Sequence, residues 1–420
     1  MDKLLDFISE HLSDDTTRLI LDKSKWPEID METAVNCIES RRKLKGKVQE
    51  WYDDPRLIFP LKLSAEQCSS SSTGIYKAQL AARIAGKPDW KLADLTGGLG
   101  VDSWFFAKEA SKVLYNEMQT SLYNAASHNF NILGSGNILF RNRIAEKGSI
   151  SDLLDGFCPD IIYMDPARRG EGGKKVFLIE ECSPDILTLK DEIFAICRHI
   201  LVKLSPMADI SMVCDRLGER CREVHIVSSD GECKELLIWM DREWTGGFCI
   251  KAAELPAGYP GKEAAVLAFT PEEEKALCAE PAEEIAGYMF EPGKSLTKAG
   301  AFNITGIRFG LSKIGRSTHY YITSDPDKAE QLKDFGKVFK ILSCSPLDKR
   351  SIKEAGKAHP KAEVTARNIP MTSDALRKKI GCSSVRQYLR NLRRTLGRSV
   401  QKQLRRRCHE TGGGVRSGDH

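Results

Sequence analysis

No stretch of this sequence reaches the roughly 18 consecutive uncharged apolar residues that a membrane-spanning helix requires, so no membrane segment is expected. The opening MDKLLDFISEHLSDD scatters charges through its apolar positions, which argues against a secretory signal. Of the 13 cysteines, no two stand as CxxC or in a paired zinc-ligand spacing. With no export signal expected, they read as reduced thiols of a cytoplasmic protein, and neither a disulfide framework nor a metal is anticipated. Internal repeats are lacking, and low complexity is confined to the arginine-rich end.

The 420 residues, 41% of them hydrophobic, suffice for a sizeable core and roughly two to four domains. Charge is unevenly spread. Residues 377–420 hold 13 Lys and Arg against Glu410 and Asp419, a net +11, so the chain's net +5 leaves −6 for the other 376 residues. Such separation points to polyanion contact at the C-terminal end.

Before Tyr76 the apolar positions (Leu4, Leu5, Phe7, Ile8, Leu12) recur at helical spacing without strand-like alternation. The stretch closes on Cys68-Ser-Ser-Ser-Ser-Thr-Gly74, small polar residues that favour a loop or a helix cap. From Lys91 short apolar strands (LADLT, KVLYNE, IIYMDP, HILVKLSP) alternate with helix-compatible stretches, which predicts βαβ units and a parallel sheet. EVHIVSS and KELLIWMD are parted only by Asp230-Gly231-Glu232-Cys233 and should form an antiparallel hairpin. After about residue 270 the rhythm breaks into short signals (NITGIRFGL, THYYITS, KVFKILSC) with charged helical patches between them, as in small α+β modules.

Asp94-Leu-Thr-Gly-Gly-Leu-Gly-Val-Asp102 follows an apolar strand and precedes the amphipathic SWFFAKEA. Its glycines allow a tight turn and a close ligand approach. The turn has neither the GxxxxGK of a triphosphate cradle nor a full GxGxxG for a pyrophosphate. Glu117, 23 residues after Asp94, stands where an acid meets the two hydroxyls of an adenosine ribose; a solvated strand-end acid is the alternative. Asp94 places a carboxylate at the strand end, favouring a cationic ligand such as a sulfonium with an α-amino group, charges that S-adenosylmethionine (SAM) carries. Farther on, Ile161-Ile-Tyr-Met-Asp165-Pro166-Ala167-Arg168 puts Asp-Pro at the carboxyl end of a buried strand, on the edge where open α/β sheets bind ligands. Pro166 ends the ladder and rigidifies the turn.

With these residues the chain resembles class I SAM-dependent methyltransferases: DLTGGLGVD is similar to their first motif and DPAR to their fourth. LSAEQCSSSSTGIYKAQLAA, KAGAFNITGIRFGL and ARNIPMTSDALRKKI extend the resemblance to a Bacteroidetes group that joins such a core to a ferredoxin-like and a THUMP-like domain. THUMP domains are RNA-binding modules of tRNA and rRNA modification enzymes, so the resemblance implies an RNA substrate. The expected architecture is α/β: a helical domain over 1–75, a Rossmann-like SAM methyltransferase domain over 76–270, a ferredoxin-like domain over 271–328, a THUMP-like domain over 329–400, and a basic, disordered tail over 401–420. The first motif assigns Asp94, Thr96, Gly97, Gly98, Gly100 and Asp102 to the methionine end of SAM and Glu117 to its ribose. Asp152 matches an adenine-contacting position, and Lys77 either reaches the SAM carboxylate or is a surface lysine. Asp165, Pro166, Ala167 and Arg168 are assigned to the acceptor side.

Ala167 and Arg168 stand where amino-group methyltransferases of adenine or guanine resemble one another in a Pro-aromatic pair that stacks on the base. DPAR is closer to RNA uracil-C5 methyltransferases, which also need a nucleophilic cysteine. The following strand ends Lys203-Leu204-Ser205-Pro206, without one. The nearest substitute, Cys182, has Glu180 and Glu181 beside it, which oppose thiolate formation. Direct transfer to a base nitrogen or ribose oxygen of RNA is therefore expected. The alternatives are a small-molecule methyltransferase, an RNA uracil-C5 methyltransferase using Cys182, and a non-catalytic RNA-binding protein.

Overall fold

A computed structural model describes residues 2–168, 179–315 and 318–384. They fall into two compact units, one comprising the described residues up to Ala279 with Phe290–Leu311 and Asp325–Val338, the other Glu280–Met289, Ser312–Ser324 and the described residues from Phe339 onward. The Arg-rich tail lies outside the described residues. No helix among those described is long and apolar enough to cross a membrane.

The first unit begins with helices Asp2–Glu10, Thr16–Leu21, Met31–Leu44, Gln49–Asp53, Lys62–Gln67 and Ser71–Ala85. Asp15 and Asp30 cap two of them by accepting backbone N–H bonds from Thr17 and Thr33, which satisfies otherwise orphaned donors. The serine run starts a helix: Ser70 and Thr73 form a reciprocal cap. Gly74 then lies so close to Phe105 that a Cβ would come within 2.2 Å of its ring. The first three helices pack around Phe7, Ile8, Leu19 and Ile38, and the later ones share the core of the sheet. Trp51 and Phe59 pack with Trp104 and Phe130, and Asn129 exchanges two 2.8 Å hydrogen bonds with the backbone of Ile58.

The strands are β1 (Lys91–Asp94), β2 (Lys112–Asn116), β3 (Ile138–Arg141), β4 (Ile161–Met164), β5 (Ala167–Arg168), β6 (Cys182–Ser183), β7 (His199–Leu204), β8 (Cys221–Ser229), β9 (Glu232–Asp241), β10 (Cys249–Leu255), β11 (Ala265–Phe269), β12 (Tyr288–Pro292), β13 (Ser312–Gly315), β14 (Thr318–Thr323) and β15 (Gly336–Lys340). Nine of them form one sheet in the order β11-β10-β8-β9-β7-β4-β1-β2-β3. From β3 to β7 neighbouring strands run parallel, and the nearly continuous burial of β1, β2, β4 and β7 suits a sheet covered on both faces. β9 is antiparallel to both β7 and β8. The hairpin turn is tighter than the sequence suggests: only Asp230 and Gly231 turn, both at positive φ, and Glu232 already belongs to β9. β10 adds parallel to β8 and β11 antiparallel to β10. Strands β12 to β15 make a four-stranded sheet of order β13-β14-β12-β15.

Starting from β1, the chain adds strands first toward β3 and then, from β4, in the opposite direction. The carboxyl ends of β1 and β4 therefore flank a topological switch point, where the divergent connections leave a crevice for ligands.

Candidate active site

Asp94 ends β1 at this crevice and is almost fully buried. Its carboxylate accepts the Thr96 N–H at 3.0 Å and the Ser103 hydroxyl at 2.6 Å. Burial nevertheless pushes its pKa up to about 7, with the nearby Asp102 and Asp165 carboxylates adding to the rise. The glycine turn follows. Tyr115 lies beneath Gly97, where a Cβ would come within 2.1 Å of the ring, and a Cβ on Gly100, whose φ is +91°, would come within 2.4 Å of Phe130. Gly98, at φ +55°, is not crowded in this way: a Cβ there would meet only the Thr96 carbonyl oxygen, at 4.0 Å.

Glu117, directly after β2, is buried, and both its oxygens accept backbone N–H groups. One accepts the Gly98 N–H at 2.8 Å and the other the Gln119 N–H at 2.7 Å. A carboxylate offers about four lone-pair positions, so these two bonds leave capacity for ligand hydroxyls. Asn116 supports the same edge by donating to the carbonyls of Leu95 and Arg143, each at 3.0 Å. Asp152 lies exposed in the short helix Ile150–Leu154.

The fourth motif meets the first through Thr96, whose hydroxyl accepts the Asp165 N–H at 2.6 Å. The Asp165 side chain is 37% exposed and pairs with Lys203 Nζ at 2.5 Å. Lys203, on β7, is nearly buried; burial alone would lower its pKa, but Asp165, Asp102 and Glu235 hold it well above the ordinary lysine value. Ala167 and Arg168 pair as β5 with Ser183 and Cys182 of β6. Cys182 thus adjoins the acceptor motif, fully buried. Residues 169–178, which include Arg169, lie outside the described residues.

Lys77 is neither a surface lysine nor free to reach a ligand unaided. It is fully buried, donating to both Glu235 oxygens at 2.6 and 2.8 Å and to the Ser69 hydroxyl at 2.9 Å. Its Nζ also lies 3.3 Å from Asp102 Oδ1, an ion pair without hydrogen-bond geometry, so that this buried oxygen has no hydrogen-bond partner among the described residues. The other Asp102 oxygen accepts the Tyr163 hydroxyl at 2.7 Å. Burial would raise the Asp102 pKa, yet Lys77 and Lys203 hold it below the usual carboxylate range. For Glu235 burial wins, and its pKa is raised.

At the crevice, Lys77 and Lys203 thus act on three carboxylates, those of Asp102, Asp165 and Glu235, while Asp94 lies near Asp102 and Asp165. The excess of carboxyl groups over lysines, the Asp102 oxygen without a hydrogen-bond partner among the described residues, and the uncrowded Gly98 fit a ligand that is cationic and donates hydrogen bonds, as the methionine end of SAM does. The sequence reading missed Lys203 and Glu235. Lys203 is the one Lys, Arg, Asp or Glu in HILVKLSP, and Glu235, next to Lys234, opens the apolar LLIWM of KELLIWMD; a buried charge needs a partner.

Two family profiles match the chain: a ferredoxin-like domain at residues 288–329 and a THUMP domain-like region at 336–413. The second takes in most of the basic end. No curated protein matches the sequence. Among solved structures, a protein of Porphyromonas gingivalis W83 provisionally named a methyltransferase shares 29% identity at a TM-score of 0.77, covering 91% of this chain and 92% of that one. An rRNA methylase of Streptococcus thermophilus matches at 14% identity and a TM-score of 0.29, over 40% of this chain and 96% of that one. M. capricolum TrmK with bound S-adenosylhomocysteine matches at 11% and 0.29, over 41% of this chain and 70% of that one. The chain has a methyltransferase fold and carries ferredoxin-like and THUMP-like domains.

Proposed function

We propose that this chain, built on the plan of methyltransferases that join a Rossmann-like core to ferredoxin-like and THUMP-like domains, moves a methyl group from SAM directly to a base nitrogen or ribose oxygen of RNA. One observation carries the reading: the Thr96 hydroxyl ties Asp165 to the glycine turn at the switch point, so a cofactor half-site and an acceptor half-site share one hydrogen bond. When bound, SAM supplies an electrophilic methyl carbon activated by its sulfonium. Asp94, Asp102 and Glu117 bind and orient it. Lys203 fixes Asp165 through one oxygen, leaving the half-exposed carboxylate to accept from an acceptor N–H or O–H and to stabilise developing positive charge. The THUMP domain-like match supports RNA as the acceptor.

The test is transfer from labelled SAM to total RNA of a strain lacking the protein, beside a metabolite extract; label in metabolites alone selects the small-molecule reading. Asp165→Ala should abolish transfer while leaving SAM affinity within about threefold, a shift below 1 kcal/mol. Cys182→Ser should retain most activity, because its buried thiol is not needed for a direct displacement. A dead cysteine variant, together with covalent trapping of 5-fluoropyrimidine RNA by the wild type, would establish uracil-C5 chemistry instead.

A further inference from the structure

β7 runs beside β4, and Lys203 near its end pairs with Asp165, so the turn that follows β7 leaves the sheet at the edge carrying the acceptor motif. Ser205-Pro206-Met207-Ala208 form that turn. The Ala208 N–H bonds to the Ser205 carbonyl at 3.0 Å, and the Ser205 hydroxyl accepts the Met207 N–H at 3.2 Å. Pro206 takes the second position, where its fixed φ suits the turn. Asp209 then caps helix Ile210–Leu217 by accepting the Met212 N–H at 2.8 Å. Ala208 is fully buried, and its carbonyl accepts Lys298 Nζ at 2.8 Å. Lys298 lies in helix Lys294–Ala299 of the ferredoxin-like match, within the same compact unit as the turn. Glu254 of β10 holds this helix, one oxygen accepting both the N–H and the hydroxyl of Ser295 at 2.7 Å.

The backbone on either side of Met207 is thus fixed, yet its side chain is 70% exposed. Nothing in the turn asks for methionine at the third position, where small polar residues and glycine serve. One exposed apolar side chain is ordinary on a protein surface. Met207, however, is one of three that stand directly beyond the carboxyl ends of parallel strands: Met118 and Ile144 follow β2 and β3, at 57% and 59% exposure. Those ends form the edge where open α/β sheets bind ligands. Met118, next to Glu117, and Ile144 stand on the cofactor side, where the adenine of SAM needs apolar cover. Met207 stands on the other side of the switch point, with β4 and β1 between. A second apolar surface there suits a second flat ring, because a polarizable thioether contacts aromatic rings favourably. A ribose, rimmed with hydroxyls, gains little from it.

We infer that Met207 is the surface against which the acceptor base packs beside Asp165, so that the methyl group goes to a base nitrogen rather than to a ribose oxygen. The inference rests on the RNA-directed reading above. The lone pair of the base nitrogen forms the new N–C bond as the S–C bond breaks, with the electrons of that bond staying on sulfur. The proton that the nitrogen sheds leaves to water past the Asp165 carboxylate. Lys298 is a positioning residue that fixes the turn.

Full-length protein is given labelled SAM and total RNA of a strain lacking it, and the RNA is digested to nucleosides for mass spectrometry. The label is expected in the base fragment. Met207→Ala should raise KM for RNA about fivefold to tenfold while kcat stays within about twofold, and Met207→Leu should recover most of the loss. Lys298→Met should raise KM likewise, with Lys298→Arg restoring it. SAM affinity by calorimetry and the melting temperatures should match the wild type in all four. Ile196→Ala, which removes an exposed apolar side chain ahead of β7, should change nothing.

Label in the ribose fragment, or an unaltered KM in Met207→Ala, overturns the inference while transfer to RNA itself leaves the RNA reading standing. An unaltered KM in Lys298→Met removes Lys298 from its positioning role. Absence of transfer to RNA overturns the RNA reading; transfer into a metabolite extract then judges Met207, sustained if Met207→Ala slows it and Ile196→Ala does not, and overturned otherwise. Transfer to neither overturns both.

Discussion

Asp94 shows how burial and ligand charge oppose each other at one residue. Its ordinary carboxyl value of 3.8 rises to about 7 in the folded chain. Between those values the folded state keeps a proton that the unfolded state has lost, so this group makes stability fall as pH rises through about 4 to 7 and adds no further change above. A cation bound beside it favours the ionised form. SAM affinity should therefore increase from pH 6 to 8 in the wild type, and Asp94→Asn should remove that part of the increase while leaving any contribution from the ligand's own amino group; calorimetric titration across pH separates the two. At Glu117, Ala should weaken SAM binding by about 1 to 3 kcal/mol through lost charge-assisted hydrogen bonds. Because the carboxylate also holds the N–H groups of Gly98 and Gln119, Glu117→Gln should recover only part of the loss. Unchanged affinity in Glu117→Ala would remove this residue from the cofactor site.

At the scale of elements, the Lys77–Glu235 pair fastens helix Ser71–Ala85 to β9 beneath the crevice. Removing one member leaves an uncompensated buried charge, so Lys77→Met or Glu235→Met alone should cost about 3 to 5 kcal/mol in the denaturant transition of the unit that holds both residues. The double variant should cost clearly less than the sum. Strict additivity would show that the two charges act independently. The same elements mark what local pattern reveals. β1, β2, β4 and β7 were legible as apolar runs between helix-compatible stretches, and Asp230-Gly231 announced the hairpin because both positions need positive φ. β10 and β11 were not recognised, since CIKAAEL and AVLAF are short runs whose strand character depends on pairing beside β8. The serine run reads as loop or cap until the reciprocal Ser70–Thr73 bonds commit it to a helix.

For the whole molecule, two compact units imply more than one unfolding transition, so no single unfolding free energy describes the chain. A ligand that binds only folded protein stabilises it by about 2.7 kcal/mol at 100 times its Kd. SAM or S-adenosylhomocysteine should thus raise the melting temperature of the transition belonging to the unit that contains β1 to β11, leaving the other in place. If neither ligand shifts any transition at millimolar concentration, the cofactor reading fails.

Residue order alone determined the strand-turn-helix around Asp94 to Asp102, the acid at Glu117 and the Asp-Pro after β4, because each is a local pattern of glycine, apolar periodicity and strand-end charge. Tertiary structure decided the rest of the site. Lys77 reads as a surface or ligand-binding lysine until the fold buries it against Glu235, 158 residues away. Lys203 passes as one charge in a strand until Asp165 meets it across the β4–β7 edge. Buried charges acquire their roles from partners distant in sequence, since the low dielectric that makes an unpaired charge costly exists only once the sheet has closed over it.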